Sequence, residues 1–373
     1  MTDRGESSGI LSGTLFTGLG KSMVVFLGLA SFLISARWLT TEELGGFTII
    51  QVAAVFIANF SDFGINTALT KYLAQDENAD SRTNLIFICF FFRLLTLLFA
   101  VLIAFLLHRV LFSLFGSSFY LDLLPYLPVL VFLEGFSKFY NATLEGLFRF
   151  KAIGILDIIT SILSFGLMIL FLVWLDMGLV GRFLVRILVL LIPLTIMVML
   201  QPIRKAQTTS FTPIKGILRF GFPLYINQVL SFVFLRADTF IIGILLGPAE
   251  IALYEIARKI PESLEMIYDA FRRVYFPKVS RLLAHGKKIR SALILNSSLR
   301  LLTFVTSFGA LVSFFWGKEL INLLFSNKYE ESAIVFAVIM VGLVTLVVDY
   351  TLGFTIVAAG DSDKPMLINI VRT

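Results

Sequence analysis

The sequence predicts an all-α integral membrane protein with about 11 transmembrane helices arranged as two parallel repeats. Three observations carry this. The 373 residues are 58% hydrophobic and only 15% charged, with 39 Phe, more apolar surface than a soluble chain of this length can bury. Apolar windows close to the ~20 residues that cross a ~30 Å hydrocarbon core follow one another from Ile10 onwards. The two halves of the chain also keep a common register.

In order, spans are expected near 10–36, 46–73, 85–107, 121–147, 152–175 and 179–200. After a polar linker come 217–246, 248–277, 291–316 and 332–359, and an eleventh starts near 365. The first run, interrupted by Lys21, is longer than the apolar stretch of a cleavable signal peptide. The fourth and eighth spans are the most polar. Loops are short, which leaves no room for a soluble domain. Cys89 is the only cysteine, so no intramolecular disulfide forms.

Lys and Arg set the orientation, because cytoplasmic loops hold their excess. One alternating set of loops carries Arg4; Lys71 and Arg82; Arg149 and Lys151; Arg204, Lys205, Lys215 and Arg219; Lys278, Arg281, Lys287, Lys288 and Arg290; and Lys364. The other set holds only Arg37, Arg109, Arg182, Lys318 and Lys328. The N-terminus is therefore expected in the cytoplasm. The net charge of +6 fits basic loops beside anionic membrane lipid, not nucleic acid, which would need one clustered basic face.

The linker Gln201–Gly216 divides the chain into an N-terminal lobe, 1–200, with six helices, and a C-terminal lobe, 217–373, with four helices and the start of a fifth. A shift of 207 places LTTEELGGFTII (Leu39 to Ile50) on LGPAEIALYEIA (Leu246 to Ala257), Asp62 on Asp269 and Lys71 on Lys278. Three matches in register argue for duplication. An even number of spans per unit makes the repeats parallel. The first half continues for two spans after LFRFKAIGILDI (Leu147 to Ile158), whereas the equivalent AAGDSDKPMLINI (Ala358 to Ile370) stands at the end of the sequence. A truncated chain or fragment is expected; the alternative is a natural protein with a short last helix.

Several charges fall inside spans, where each costs at least ~2.5 to 3.5 kcal/mol at the centre and normally faces a partner or a water-filled cavity. The bases are Lys21, Arg93, Lys138, Arg186, Arg236, Arg258, Lys259, Arg272, Arg273 and Arg300. Gln51, Asn59, Asp62, Asn66 and Thr70 form a polar stripe on the second span, read as one helix. Nine residues from Lys71, Asp62 lies ~14 Å deep by helical rise. It is either a cation or proton site or the partner of a base on a neighbouring helix. Lys21 is also mid-membrane, and it either anchors an anionic head group or is neutralised by Asp62; Arg300 permits the same two readings. Arg236 and Asp238, two residues apart, point away from each other and need partners elsewhere. Arg236 is assigned to a cavity, and Asp238 to a cross-helix tie or a titrating site; the alternative is that both are structural ties. On the eighth span, Glu255, Arg258, Lys259, Glu262, Glu265, Asp269, Arg272 and Arg273 recur at spacings of three and four. They line either a cavity or the solvated face of an edge helix, and Pro261 can kink that helix.

FLISARWLTTEELGGFTIIQVAAVFIANFSDFGINTALTKYLAQ (Phe32 to Gln75), FGFPLYINQVLSFVFLRADTFIIGILLGPAEIALYEIARKI (Phe220 to Ile260) and VAAGDSDKPMLINI (Val357 to Ile370) resemble polysaccharide biosynthesis flippases of the multidrug/oligosaccharidyl-lipid/polysaccharide exporter superfamily. Within it they resemble the Wzx-type O-antigen translocases most. The resemblance implies two bundles of six helices around a central cavity that opens alternately to each face of the plasma (inner) membrane. It implies a polyprenyl-pyrophosphate-linked oligosaccharide as substrate, with Na+ or H+ as coupling ion and polysaccharide polymerase and glycosyltransferases as partners. Substrate-binding roles then fall to Lys21, Arg236, Arg258, Lys259 and Arg300, and ion-coupling or cross-helix roles to Asp62, Asp238 and Asp269. The departure is at the C-terminus, where the family's twelve or more helices are not all present.

Nothing in the sequence calls for a cofactor or for catalysis. His108 and His285 have no Cys or acidic cluster at metal-ligand spacing, and no Gly-rich phosphate loop with a following Lys and Ser or Thr occurs. Rival functions are a cation-coupled drug antiporter of the same superfamily and a polyprenyl-carrier-dependent membrane glycosyltransferase. The second would want a catalytic loop domain.

Overall fold

The structure is a computed structural model that describes residues 23–106, 123–201 and 214–358. Eleven α-helices cover nearly all of these: α1 Met23–Trp38, α2 Thr41–Phe60, α3 Ile65–Gln75, α4 Ala79–Leu106, α5 Tyr126–Gly146, α6 Phe150–Met168, α7 Gly178–Leu200, α8 Ile214–Leu245, α9 Pro248–Ala284, α10 Lys288–Leu324 and α11 Ser332–Ala358. A π-helical turn, Ile169–Trp174, extends α6. Seven of the described helices are long and apolar enough to cross a membrane: α2, α4, α6 with its π turn, α7, α8, α10 and α11. Three expected spans fall outside that set: α1, whose described part is a shorter apolar helix, and the charge-bearing α5 and α9. The eleventh expected span, near 365, lies outside the described residues, as does the first part of the first.

One expectation fails. The second span is not a continuous helix. It breaks at Ser61–Gly64, where Phe63 (φ 50°) and Gly64 (φ 79°) turn left-handed, and α3 restarts at Ile65. That conformation costs little at Gly64 and more at Phe63. Close packing demands glycine as well: a Cβ on Gly64 would stand 2.2 Å from the Gly221 carbonyl oxygen of α8.

Helix starts preserve the register of the duplication. α9 begins 207 residues after α2, α10 209 after α4, and α11 206 after α5. At the shift of 207 the broken tetrad corresponds to Tyr268–Phe271, which has no glycine and stays helical within α9.

By contacts the chain forms two compact units, 1–252 and 253–373. The first is cored by two apolar clusters. One gathers Phe47, Ile50 and Ala54 of α2, Leu97 of α4, Leu127, Leu130 and Val131 of α5, and Phe183 and Leu190 of α7. The other gathers Ile65, Leu69 and Leu73 of α3, Leu85, Ile86 and Cys89 of α4, Phe139, Tyr140 and Leu144 of α5, and Met197 of α7. Between them, on α2, α4 and α5, lies the stretch that contains the break. In the second unit α10 and α11 pack as an antiparallel pair. α11 is tied to α9 by Tyr268–Thr351 (3.2 Å) and Tyr275–Thr355 (2.7 Å) hydroxyl bonds.

α2 starts on a capping box. The Thr40 hydroxyl accepts from the Glu43 amide (3.2 Å), and the Glu43 carboxylate accepts from the Thr40 amide (2.8 Å). Thr40→Ala is expected to cost about 1 kcal/mol, read as a lowered melting temperature in detergent.

Candidate functional site

The break removes helical partners from the last carbonyls of α2. In hydrocarbon each unsatisfied group costs several kcal/mol. Side chains from two other helices supply the missing donors. Arg93 of α4 donates from Nη2 to the Ala58 carbonyl (2.7 Å) and from Nη1 to the Ser61 hydroxyl (3.1 Å). Tyr225 of α8 donates its hydroxyl to the Phe60 carbonyl (2.8 Å). A cation at this point also meets the negative end of the helix dipole. Arg93 is fully enclosed, with Gly135 leaving room for it: a Cβ there would stand 3.1 Å from Nη2.

Asp62 sits in the break, 3% exposed, with Oδ1 3.9 Å from Arg93 Nη1. Its two carboxylate oxygens, and Oδ1 of Asn66 one turn along, make no hydrogen bond. The acid thus lies beside a base on a neighbouring helix. With Lys138 as a second cation facing it, Asp62 is surrounded by more positive than negative charge.

A second group of charges adjoins this one. Lys138 of α5 donates to Asn59 Oδ1 of α2 at 2.5 Å. Arg186 of α7 forms a hydrogen-bonded ion pair with Glu134 of α5. Glu134 and Lys138 are neighbours on α5, being four residues apart. One turn before Arg186, the Arg182 guanidinium lies 3.8 Å over the Phe47 ring of α2, a cation–π contact. Phe183 stacks on Tyr126 at 4.1 Å and 6° and contacts Phe47 at 5.1 Å, which fixes α7 against α5 and α2. Among the described residues, these contacts gather four bases, Arg93, Lys138, Arg182 and Arg186, and two acids, Asp62 and Glu134.

Arg236 and Asp238 lie half-buried on α8 and are engaged in interactions; the Asp238 carboxylate accepts from the Thr239 amide at 2.7 Å. In the second unit Arg258 and Lys259 share Glu262 at 2.9 and 3.8 Å, while Arg300 is exposed on α10. Lys21 and the side chain of Asp269 lie outside the described residues. The sequence marks Arg93, Lys138 and Arg186 as intramembrane bases without joining them, and it places Arg182 among the second set of loop bases. It lies inside α7 instead. The four-residue spacings Glu134/Lys138 and Arg182/Arg186 were the available signal.

A family model described as polysaccharide biosynthesis protein matches residues 34–334. The capsular polysaccharide biosynthesis protein CapF of Staphylococcus aureus is 26% identical over 103 residues; the match spans 28% of this chain and about a quarter, 26%, of that relative's length. Among solved structures, the lipid II flippase MurJ in an inward closed conformation superposes with a TM-score of 0.71 at 14% identity, over 95% of this chain and 78% of that one. An inward-facing multidrug resistance MATE transporter of the MOP superfamily gives 0.69 at 15% identity, over 94% and 84%. At such identities the likeness is one of fold, a multi-pass helical membrane fold. The chain belongs to the polysaccharide biosynthesis protein family.

Proposed function

We propose that the protein is a flippase that carries a polyprenyl-pyrophosphate-linked oligosaccharide from the cytoplasmic to the outer leaflet of the plasma (inner) membrane, for cell-surface polysaccharide synthesis. The observation that carries the reading is the family match over residues 34–334, on a fold shared with a protein described as a lipid II flippase. The buried charged layer supports it, because ionised groups at that depth are costly and usually mark a transport pathway. Two lobes, 1–200 and 217–373, joined by a cytoplasmic linker at 201–216, alternate access to a cavity between them, with the N-terminus in the cytoplasm. Lys21, Arg236, Arg258, Lys259 and Arg300 hold the anionic head group. Asp62, Asp238 and Asp269 tie helices together or couple transport to Na+ or H+. Glycosyltransferases supply the substrate and a polymerase consumes the product.

The test compares two cargoes in proteoliposomes: a fluorescent polyprenyl-pyrophosphate sugar and an organic cation dye. The lipid-linked sugar is expected to move. Movement of the dye alone would make the protein a drug antiporter, the reading to which the MATE likeness otherwise belongs. Charge-assisted hydrogen bonds contribute ~1.5 to 3 kcal/mol, so Arg236→Ala is expected to slow transfer about tenfold or more with unchanged folded yield. An unaltered rate removes Arg236 from the substrate path.

A further inference from the structure

The geometry points to an oxyanion-binding site within the first unit, formed by Arg182 and Arg186 of α7 with Lys138 of α5, in which Glu134 occupies the place of the ligand while the site is empty. Its ligand is of the phosphate class, a pyrophosphate head group, and for that source the inference rests on the function proposed above.

Charge and satisfaction argue for it. Arg182 and Arg186 are four residues apart on one face of α7 and repel each other. Only Glu134 among the described residues lies within ion-pairing distance of either, and it pairs with Arg186 alone. Arg182 rests on the Phe47 ring, and Nε of both arginines is buried without a hydrogen bond. Lys138 faces Glu134 and Arg186 as well as the Asp62–Arg93 pair. With Asp62 set against Arg93, three bases remain for one acid, a surplus of two positive charges on the side of the layer that includes the partly exposed Arg186 side chain.

Guanidinium groups recognise phosphate through paired N–H donors, and a lysine one turn away adds a point charge. Glu134 offers the same kind of oxygen pair from within the protein. When an oxyanion arrives, Arg186 exchanges the carboxylate for it, and Glu134 keeps a cationic neighbour in Lys138. The affinity should therefore respond in opposite senses to loss of the acid and loss of the bases.

Isothermal titration of the detergent-purified full chain with inorganic pyrophosphate tests this. Binding is expected, weakened at least tenfold by Arg182→Gln and tightened several-fold by Glu134→Gln; Lys318→Gln on α10 should leave it unchanged. Arg182→Gln breaks no ion pair but removes the contact with the Phe47 ring, so its melting temperature in detergent is measured beside the titration, and only binding by folded protein counts. No binding to the wild type, equal affinity in Arg182→Gln, or weakened binding in Glu134→Gln would each overturn the assignment. Repeating the titration in phosphatidylglycerol nanodiscs separates the sources: retained pyrophosphate binding supports a carrier head group, whereas its loss there assigns the site to bilayer phospholipid and overturns the pyrophosphate reading. Arginine-dependent binding without translocation of the lipid-linked sugar would defeat the flippase reading and leave the site standing; translocation with binding indifferent to Arg182 would do the reverse.

Discussion

Arg93→Met is expected to destabilise the protein by about 3 to 5 kcal/mol, because it removes one partner of a buried ion pair and leaves Asp62 with only Lys138 facing it. The same substitution frees the Ala58 carbonyl and the Ser61 hydroxyl at the end of α2. Removing both charges is a different matter, since apolar or neutral replacements of a buried pair are often close to neutral. Asp62→Asn combined with Arg93→Met should therefore recover part of the loss, by about 1 to 3 kcal/mol. Equilibrium unfolding in mixed detergent measures both variants. A single mutant as stable as the parent would show that Arg93 does not hold the break together.

Gly64→Val is expected to cost about 2 to 5 kcal/mol through two additive causes. A β-branched residue at φ 79° pays ~1 to 2 kcal/mol for the left-handed conformation. Its Cβ would also stand 2.2 Å from the Gly221 carbonyl oxygen, a backbone clash that overpacks the α3–α8 contact at ~1 to 3 kcal/mol. Gly221→Ala isolates the second cause, since a Cβ there meets the Gly64 carbonyl oxygen at 2.3 Å from within a regular helix. Gly166→Ala, with nothing within 4 Å of its Cβ, should be neutral or stabilising by up to ~1 kcal/mol. If Gly64→Val and Gly221→Ala both melt together with the parent, the close approach at the break is not a feature of the folded protein.

Spans and duplication were readable because each depends on local averages: hydropathy over some twenty residues, and a register repeated 207 positions on. The break was harder to see. Its only local sign is Asp62-Phe63-Gly64, a turn-forming trio inside a window whose mean remains apolar, and the stripe Gln51, Asn59, Asp62, Asn66 and Thr70 fits a single helix well. What settles the geometry is non-local, since Arg93, Tyr225 and Gly221 are needed to satisfy and seat the exposed backbone. Depth carried more information than spacing. Counted from the basic residues near one end of these helices, Asp62 is nine residues from Lys71, Arg93 eleven from Arg82 and Lys138 eleven from Arg149, roughly 14 to 17 Å by helical rise. Groups at one depth on adjacent helices are able to meet, which brings Asp62 to Arg93 and Lys138 to Asn59. Arg182 escaped because it stands one turn from the start of its helix, where sequence alone does not separate an interfacial arginine from one laid over an aromatic ring.

The proposed function has this chain move a charged, sugar-bearing head group through a bilayer. Its most direct measurement is the fraction of a head-group-labelled polyprenyl-pyrophosphate sugar, initially in the inner leaflet of sealed proteoliposomes, that becomes reducible by external dithionite with time. Transfer well above that of protein-free vesicles, and lowered in Arg236→Ala, is the predicted result. A wild-type rate indistinguishable from protein-free vesicles, in vesicles where the protein is folded and inserted, would contradict it.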